Sequence, residues 1–272
     1  MSRELAAFVG HHPRLLVLTG AGCSAASGIP TYRDETGAWR SGPPVLYAQF
    51  AASDAVRRRY WARSLAGWTR VRDARPNRAH HALARLEALG HVACLVTQNV
   101  DGLHQRAGSH EVVDLHGRLD RVRCLDCGAT LLRSDFQQLL RLWNPAPLVE
   151  AAGAAPDGDA RLEGEFEGFR VPDCPACGGR LKPDVVMFGE NVPGPRVAAA
   201  LEALARSDAL LCVGSSLMVY SGFRFCLAAR ALGKPVAAVN LGHTRADAML
   251  SLKVTDDCGA ALDAALDAVQ PA

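Results

Sequence analysis

Short apolar runs recur along the chain, each closed by a turn bearing Gly, Thr or Asn. Leu15–Leu18, Val92–Val96, Ala209–Val213 and Val236–Val239 read as strands buried on both faces, as in a parallel sheet. Between them, Ala79–Leu89, Val197–Arg206 and Phe223–Leu232 carry apolar residues at helical spacing. The first stops at Gly90 and the last at Gly233-Lys234-Pro235. Strands and helices in alternation predict an α/β fold, a Rossmann-like doubly wound parallel sheet.

Two stretches break the pattern. Residues 35–76 hold Pro43-Pro44 and an arginine-rich helical segment, Ala55–Arg63, with no clean amphipathic stripe. Residues 118–181 hold two tight cysteine pairs and a Gly/Ala/Asp/Glu-rich tract, Ala151–Gly168. The expected organisation is a sheet domain of residues 1–34, 77–117 and 182–272, into which 35–76 and 118–181 insert a smaller domain, part helical and part built on the four paired cysteines.

Composition narrows the function class. In 272 residues, 49% are apolar and 21% charged, and a chain this long buries a core without disulfide staples. A net charge of +2 argues against a protein built to hold nucleic acid. No apolar run approaches the ~20 residues that span a bilayer, so no membrane partner is expected. The segment Met1–Gly10 lacks a signal or transit pattern, and the expected location is cytoplasmic.

The first strand runs into Gly20-Ala21-Gly22-Cys23-Ser24-Ala25, a G-x-G-x-x-A fingerprint in the place where a dinucleotide pyrophosphate meets a helix N-terminus. The same glycines also suit a plain turn. The acidic residue expected about 20 residues later in a dehydrogenase is missing; the loop Ser27-Gly-Ile-Pro30-Thr31-Tyr32-Arg33 follows instead. Gln98-Asn99-Val100-Asp101 closes the strand Val92–Val96, where doubly wound sheets bind ligands, although Asp101 is equally suited to cap a helix. His116-Gly117 offers an imidazole suited to proton abstraction near neutral pH, or a structural histidine. Gly214-Ser215-Ser216 and Asn240-Leu241-Gly242 each follow a strand and are placed to meet phosphate or ribose.

Cys124/Cys127 and Cys174/Cys177 are the most specific physical signal. Two C-x2-C knuckles present four thiolates to one Zn2+ ion, a closed structural site; disulfides and a thioredoxin-like motif fit a chain of this kind less well. Of the single cysteines, Cys94, Cys212 and Cys226 read as small buried hydrophobes.

With these motifs in order from about Arg14 to Gly259, the chain resembles the sirtuins, NAD-dependent protein lysine deacylases. The likeness is closest to the class II branch, which includes a mitochondrial sirtuin, through Arg59-Tyr-Trp-Ala-Arg63, Ala155-Pro-Asp-Gly-Asp159 and Val219-Tyr-Ser-Gly222. The resemblance implies that NAD lies between the two domains against Gly20–Arg40, Gln98–Asp101, Gly214–Ser216, Asn240–Gly242 and Cys258. It implies that Val100 and Asp101 hold the nicotinamide carboxamide and that Asn99 orients the ribose and a water. The acyl oxygen then attacks the ribose carbon as nicotinamide leaves, and His116 activates a ribose hydroxyl as general base. An acyl-lysine protein substrate is expected to add as a strand beside Val186, Phe188, Gly189 and Leu217.

Two departures stand out. Thr31 replaces the Asp that most relatives carry, a residue still able to cap a turn. Tyr60 and Arg63 align with a pair that grips an acyl carboxylate in the desuccinylating branch, which points to acyl groups larger or more acidic than acetyl. Two rival readings share the NAD site: mono-ADP-ribosyl transfer onto proteins, and a non-catalytic NAD and zinc sensor.

Overall fold

The computed structural model describes residues 2–34, 36, 38–40, 44–145, 150–154, 160–162 and 166–269. The phrase Ala155–Asp159 lies outside the described residues. In chain order the strands are β1 (Leu15–Thr19), β2 (Val92–Thr97), β3 (Val112–Asp114), β4 (Gly117–Cys124), β5 (Thr130–Leu132), β6 (Glu150–Ala154), β7 (Ala160–Leu162), β8 (Leu181–Val185), β9 (Ala209–Val213), β10 (Val236–Val239) and β11 (Leu252–Val254).

Six of them form one all-parallel sheet in the order β11-β10-β9-β1-β2-β3. Chain order along the sheet reverses between β1 and β9, the switch point of a doubly wound fold, and the strands' carboxyl ends open a crevice there. Both faces are covered, which explains the unbroken apolar runs. On β1, Leu15 and Val17 face a layer containing Leu5, Leu83 and Leu262; Leu16 and Leu18 face a layer containing Leu204, Phe225 and Ala229. Each fully buried Leu contributes about 1.5–3 kcal/mol.

The four strands expected from sequence are present, and two short edge strands join them. β3 and β11 have three residues each, too few for periodicity to register. β10 is therefore not the last strand: Asn240–Gly242 lies between β10 and β11.

The arginine-rich helix runs over Asp54–Asp73, far beyond Ala55–Arg63, with Ser53 capping its N-terminus through the Val56 N–H. Its apolar side is aromatic: Tyr60 and Trp61 pack edge-on against Phe50 and Phe136. Trp61 Nε1 donates to the Leu181 carbonyl at 3.2 Å. The buried Arg133 guanidinium lies over Trp68 and donates to Ser64, so this core ties the helix to the cysteine module. That module is the antiparallel sheet β5-β4-β8.

Candidate active site

A cleft of about 1010 Å³ opens at the carboxyl ends of β1, β2, β9 and β10. Its wall gathers Gly20, Ala21, Gly22, Ser24, Tyr32, Arg33, Gln98, Asn99, Val100, Asp101, His116, Gly214, Ser215, Ser216, Asn240, Leu241, Gly242 and Cys258, with Tyr60, Val186, Phe188 and Gly189. Two sequence candidates are absent from this wall. Leu217 is buried in the sheet core, turned inward by a left-handed backbone (φ 57°). Arg63 is half-buried on the long helix, and Arg70, two turns further along nearly the same stripe, lines the cleft instead.

The glycines of the first turn answer to a neighbouring backbone. A Cβ on Gly22 would sit 2.8 Å from the Gly214 carbonyl oxygen, and one on Gly20 would sit 2.8 Å from the Ser215 Cβ. Gly214 (φ +61°) has Cys23 backbone against its own Cβ position, so all three residues are held to glycine by the contact between the β1 and β9 turns. Gly20 N–H and Gly22 N–H donate to the Val213 and Gly214 carbonyls. Thr31 keeps the following loop turned: its hydroxyl donates to the Arg33 carbonyl at 2.9 Å.

A polar network lies beneath the turn. Ser24 Oγ donates to Asp101 at 2.7 Å and accepts from Asn99 Nδ2 at 3.0 Å; Asn99 also donates to the Gly20 carbonyl. Asp101 accepts the Leu103 N–H as well, so it holds the turn before the helix Leu103–Ala107, whose N-cap is Gly102, while it lines the cleft. Burial raises its carboxyl pKa against these two hydrogen bonds. Gln98 Nε2 donates to Ser215 Oγ at 2.8 Å, joining the turns after β2 and β9.

His116 stands between β3 and β4. Its Nδ1 donates to the Gln98 carbonyl at 2.9 Å, and its Nε2 lies 2.8 Å from Ser221 Oγ. A carbonyl only accepts, so Nδ1 carries the proton and the neutral ring keeps its lone pair on Nε2. Burial lowers His116 to about 4, and Arg196 and Arg224 push in the same direction. The imidazole is thus unprotonated at neutral pH.

Sequence reasoning missed His80 and His104, buried behind Ser24. His80 Nε2 lies 3.4 Å from Ser24 Oγ, and His104 Nε2 lies 2.9 Å from the Thr19 hydroxyl. Ser221 was also missed as a site residue. Burial lowers His80 to about 4 and moves His104 in the same direction. Free imidazoles in the unfolded chain titrate near 6.5, so between that pH and about 4 the unfolded chain binds the extra protons. Stability is fully present above 6.5 and falls on acidification, by up to about 1.4 kcal/mol per pH unit for each histidine. The raised Asp101 opposes this over its own range. Proton NMR of the ring Cε1–H signals is expected to show these three histidines unshifted between pH 7.5 and 5; titration near 6.5 would refute their burial in the neutral form.

Cys124, Cys127, Cys174 and Cys177 converge. Sγ of Cys124 lies 3.6 Å from Cys177, Sγ of Cys127 lies 3.8 Å from Cys174, and all four lie within 4.8 Å of one another. Thiolates at about 2.3 Å from a tetrahedral zinc stand about 3.8 Å apart, so the set fits Zn2+ with no position left open. The Cys127 and Asp126 N–H groups donate to Cys124 Sγ and hold its thiol down to about 7, favouring the ligating form. Cys23, Cys94, Cys212, Cys226 and Cys258 are buried thiols.

This cleft and cysteine cluster recur in known proteins. The Sir2 family model matches residues 20–221. A relative from Bradyrhizobium diazoefficiens, named NAD-dependent protein deacetylase 2, is 60% identical over 262 residues, 96% of each chain. One from Bordetella bronchiseptica, named NAD-dependent protein deacetylase, is 58% identical over 94% of each chain. A solved Sir2 bound to a p53 peptide and NAD+ superposes with TM-score 0.80 at 27% identity, over 98% of each chain. A second Sir2 structure gives 0.78 at 33% identity, over 98% of this chain and 97% of the other. A doubly wound sheet, a four-thiol zinc site and a cleft floored by Gln98–Asp101 and His116 thus accompany whole-length similarity: the chain belongs to the Sir2 family, the sirtuins.

Proposed function

We propose that this sirtuin is an NAD-dependent protein lysine deacylase in which His116 is the general base and Asn99 and Asp101 order the NAD. Within that activity, protein deacetylation is the coarse function its relatives carry by name. The single observation that carries the reading is His116: a neutral imidazole on the cleft wall whose Nδ1 proton is held by the Gln98 carbonyl, leaving Nε2 as the unprotonated nitrogen. Gly20–Ser24, Gly214–Ser216 and Asn240–Gly242 bind the dinucleotide, with Cys258 at the far end. NAD supplies the electrophilic ribose carbon and the nicotinamide leaving group. Asn99 is held by Ser24 and Gly20, and Asp101 by Ser24 and Leu103, so neither has to be ordered when ligand arrives. The acyl-lysine segment of a protein substrate lies against Val186, Phe188 and Gly189. Paired cysteines kept as thiols favour a reducing compartment, and we place the protein in the cytoplasm.

The finer proposal concerns the acyl group. Ile29, Val71, Val100, Leu119 and Val185 give the cleft an apolar stretch, and Arg70 sits beside Val71 on the wall. These favour acyl groups larger or more acidic than acetyl, with Arg70 rather than Arg63 reading a carboxylate. The test is NAD-dependent nicotinamide release by mass spectrometry on acetyl-, succinyl-, glutaryl-, hydroxymethylglutaryl-, lipoyl- and long-chain acyl-lysine peptides. Acidic or bulky peptides are expected to turn over faster than acetyl, and Arg70→Ala to slow the acidic ones about tenfold or more while Arg63→Ala does not. A preference for acetyl that Arg70→Ala leaves untouched refutes the finer reading. Labelled protein without peptide deacylation would favour ADP-ribosyl transfer instead.

A further inference from the structure

His116 lacks the usual partner of a buried general base. Among the described residues no carboxylate bonds its ring; Nδ1 meets a backbone carbonyl, and the charged groups facing it are two cations, Arg196 and Arg224. Arg196 is itself turned toward Asp184 at 3.8 Å, and Arg224 lies over the Tyr220 ring. When the ring takes a proton, no carboxylate of the described residues bonds the imidazolium.

One side chain does reach the reacting nitrogen. Ser221 lies in the first turn of the helix Tyr220–Ala231 and places Oγ 2.8 Å from Nε2. That placement is built. The next residue, Gly222, lies against the Gln98 side chain, where a Cβ would come within 2.5 Å of Oε1. The helix start is therefore seated on the same residue whose carbonyl holds His116 Nδ1, and Ser221 is fixed relative to both ring nitrogens.

We propose that Ser221 is a positioning residue for the base, donating its hydroxyl hydrogen to Nε2 at rest and accepting the Nε2–H once the base is protonated. The inference rests on the reading of His116 as base. In the step, the O–H bond of the ribose hydroxyl breaks and an Nε2–H bond forms; the ribose oxygen keeps the electron pair. Nε2 has one lone pair, so Ser221 turns its hydrogen away before the transfer, keeps it, and then offers an oxygen lone pair to the new Nε2–H. A hydrogen bond to a charged group is stronger than one between neutral groups, so the hydroxyl favours the protonated ring and strengthens the base. It does in this site what an orienting carboxylate does elsewhere, without a buried charge.

Threonine and valine at position 221 have nearly the same shape and differ by the hydroxyl. We expect Ser221→Thr to keep most of the wild-type kcat, and Ser221→Val to lose about tenfold or more in kcat. The KM values for NAD and peptide should stay within about twofold, because the lost bond matters when the ring is charged. Melting curves of both variants and His116→Ala are run beside them. Equal kcat for the Thr and Val variants, with His116→Ala inactive, overturns the role of Ser221 and leaves the base standing. A His116→Ala enzyme as active as wild type overturns the parent reading. If Ser221→Val fails to fold, Ser221→Ala replaces it, and a kcat equal to wild type has the same overturning force.

Discussion

Removing the zinc is expected to unfold the cysteine module and abolish turnover together. Cys124 and Cys174 are buried in the aromatic core, while Cys127 and Cys177 are exposed on the module's rim. Backbone pairing of Cys124 with Leu181 and the exposed Arg180–Asp126 ion pair also join the two knuckles, but four thiols packed this closely repel once ionised; Cys177 is pushed up to about 12 by its neighbouring thiols. A divalent cation reverses that repulsion, and structural zinc binding contributes about 10–16 kcal/mol in small modules. The effect reaches the cleft by a short path. β4 begins at Gly117, directly after His116, and the Val186 N–H beyond β8 donates to the His116 carbonyl. Cys127→Ser, or treatment with a strong chelator, should lower Tm by about 10 °C or more, release one zinc per chain and remove activity. Zinc analysis, calorimetry and peptide turnover on the same sample check this; a metal-free chain with unchanged Tm and turnover would show that the cysteines hold nothing structural.

His116→Ala should reduce deacylation by about 10²–10⁴-fold, the range that a positioned base supplies. The ring's geometry sets this expectation more than its pKa does. The Gln98 carbonyl fixes the tautomer, and burial beside Arg196 and Arg224 keeps the ring neutral, so the base needs no deprotonation at neutral pH. The deletion leaves a small cavity beneath Ser221 and removes no backbone hydrogen bond made by the His116 carbonyl. Steady-state turnover with a peptide that the wild type deacylates, read against Tm, separates lost chemistry from lost fold. A variant within threefold of wild type would move the base elsewhere in the cleft.

Much of this architecture can be read from the chain. β1, β9 and β10 are recognisable because burial on both faces forces unbroken apolar runs, and the knuckles because four thiols at fixed short spacing have few other uses. The fingerprint glycines were visible, but the reason for them was not. Gly22 is forced by the Gly214 backbone, and that contact exists only once β1 and β9 pair at the switch point.

Distances between residues far apart in the chain likewise belong to the tertiary structure. Tyr60-x-x-Arg63 is a sequence pattern, yet the extension of its helix to Asp73 carries Arg70 to the cleft, while Arg63 stays off the wall. Leu217 was expected at a substrate edge, and only the tertiary structure shows that its side chain is buried, with a left-handed backbone, so that its main chain alone is left to meet a substrate strand. His80, His104 and Ser221 carry no local signal, because an isolated His or Ser means nothing until packing brings it to Ser24, Thr19 or His116. Local spacing and hydrophobic period determined which elements form and which chemistry they carry. Sheet closure, which alone decides what meets across 50 or 100 residues, determined which side chains share that chemistry.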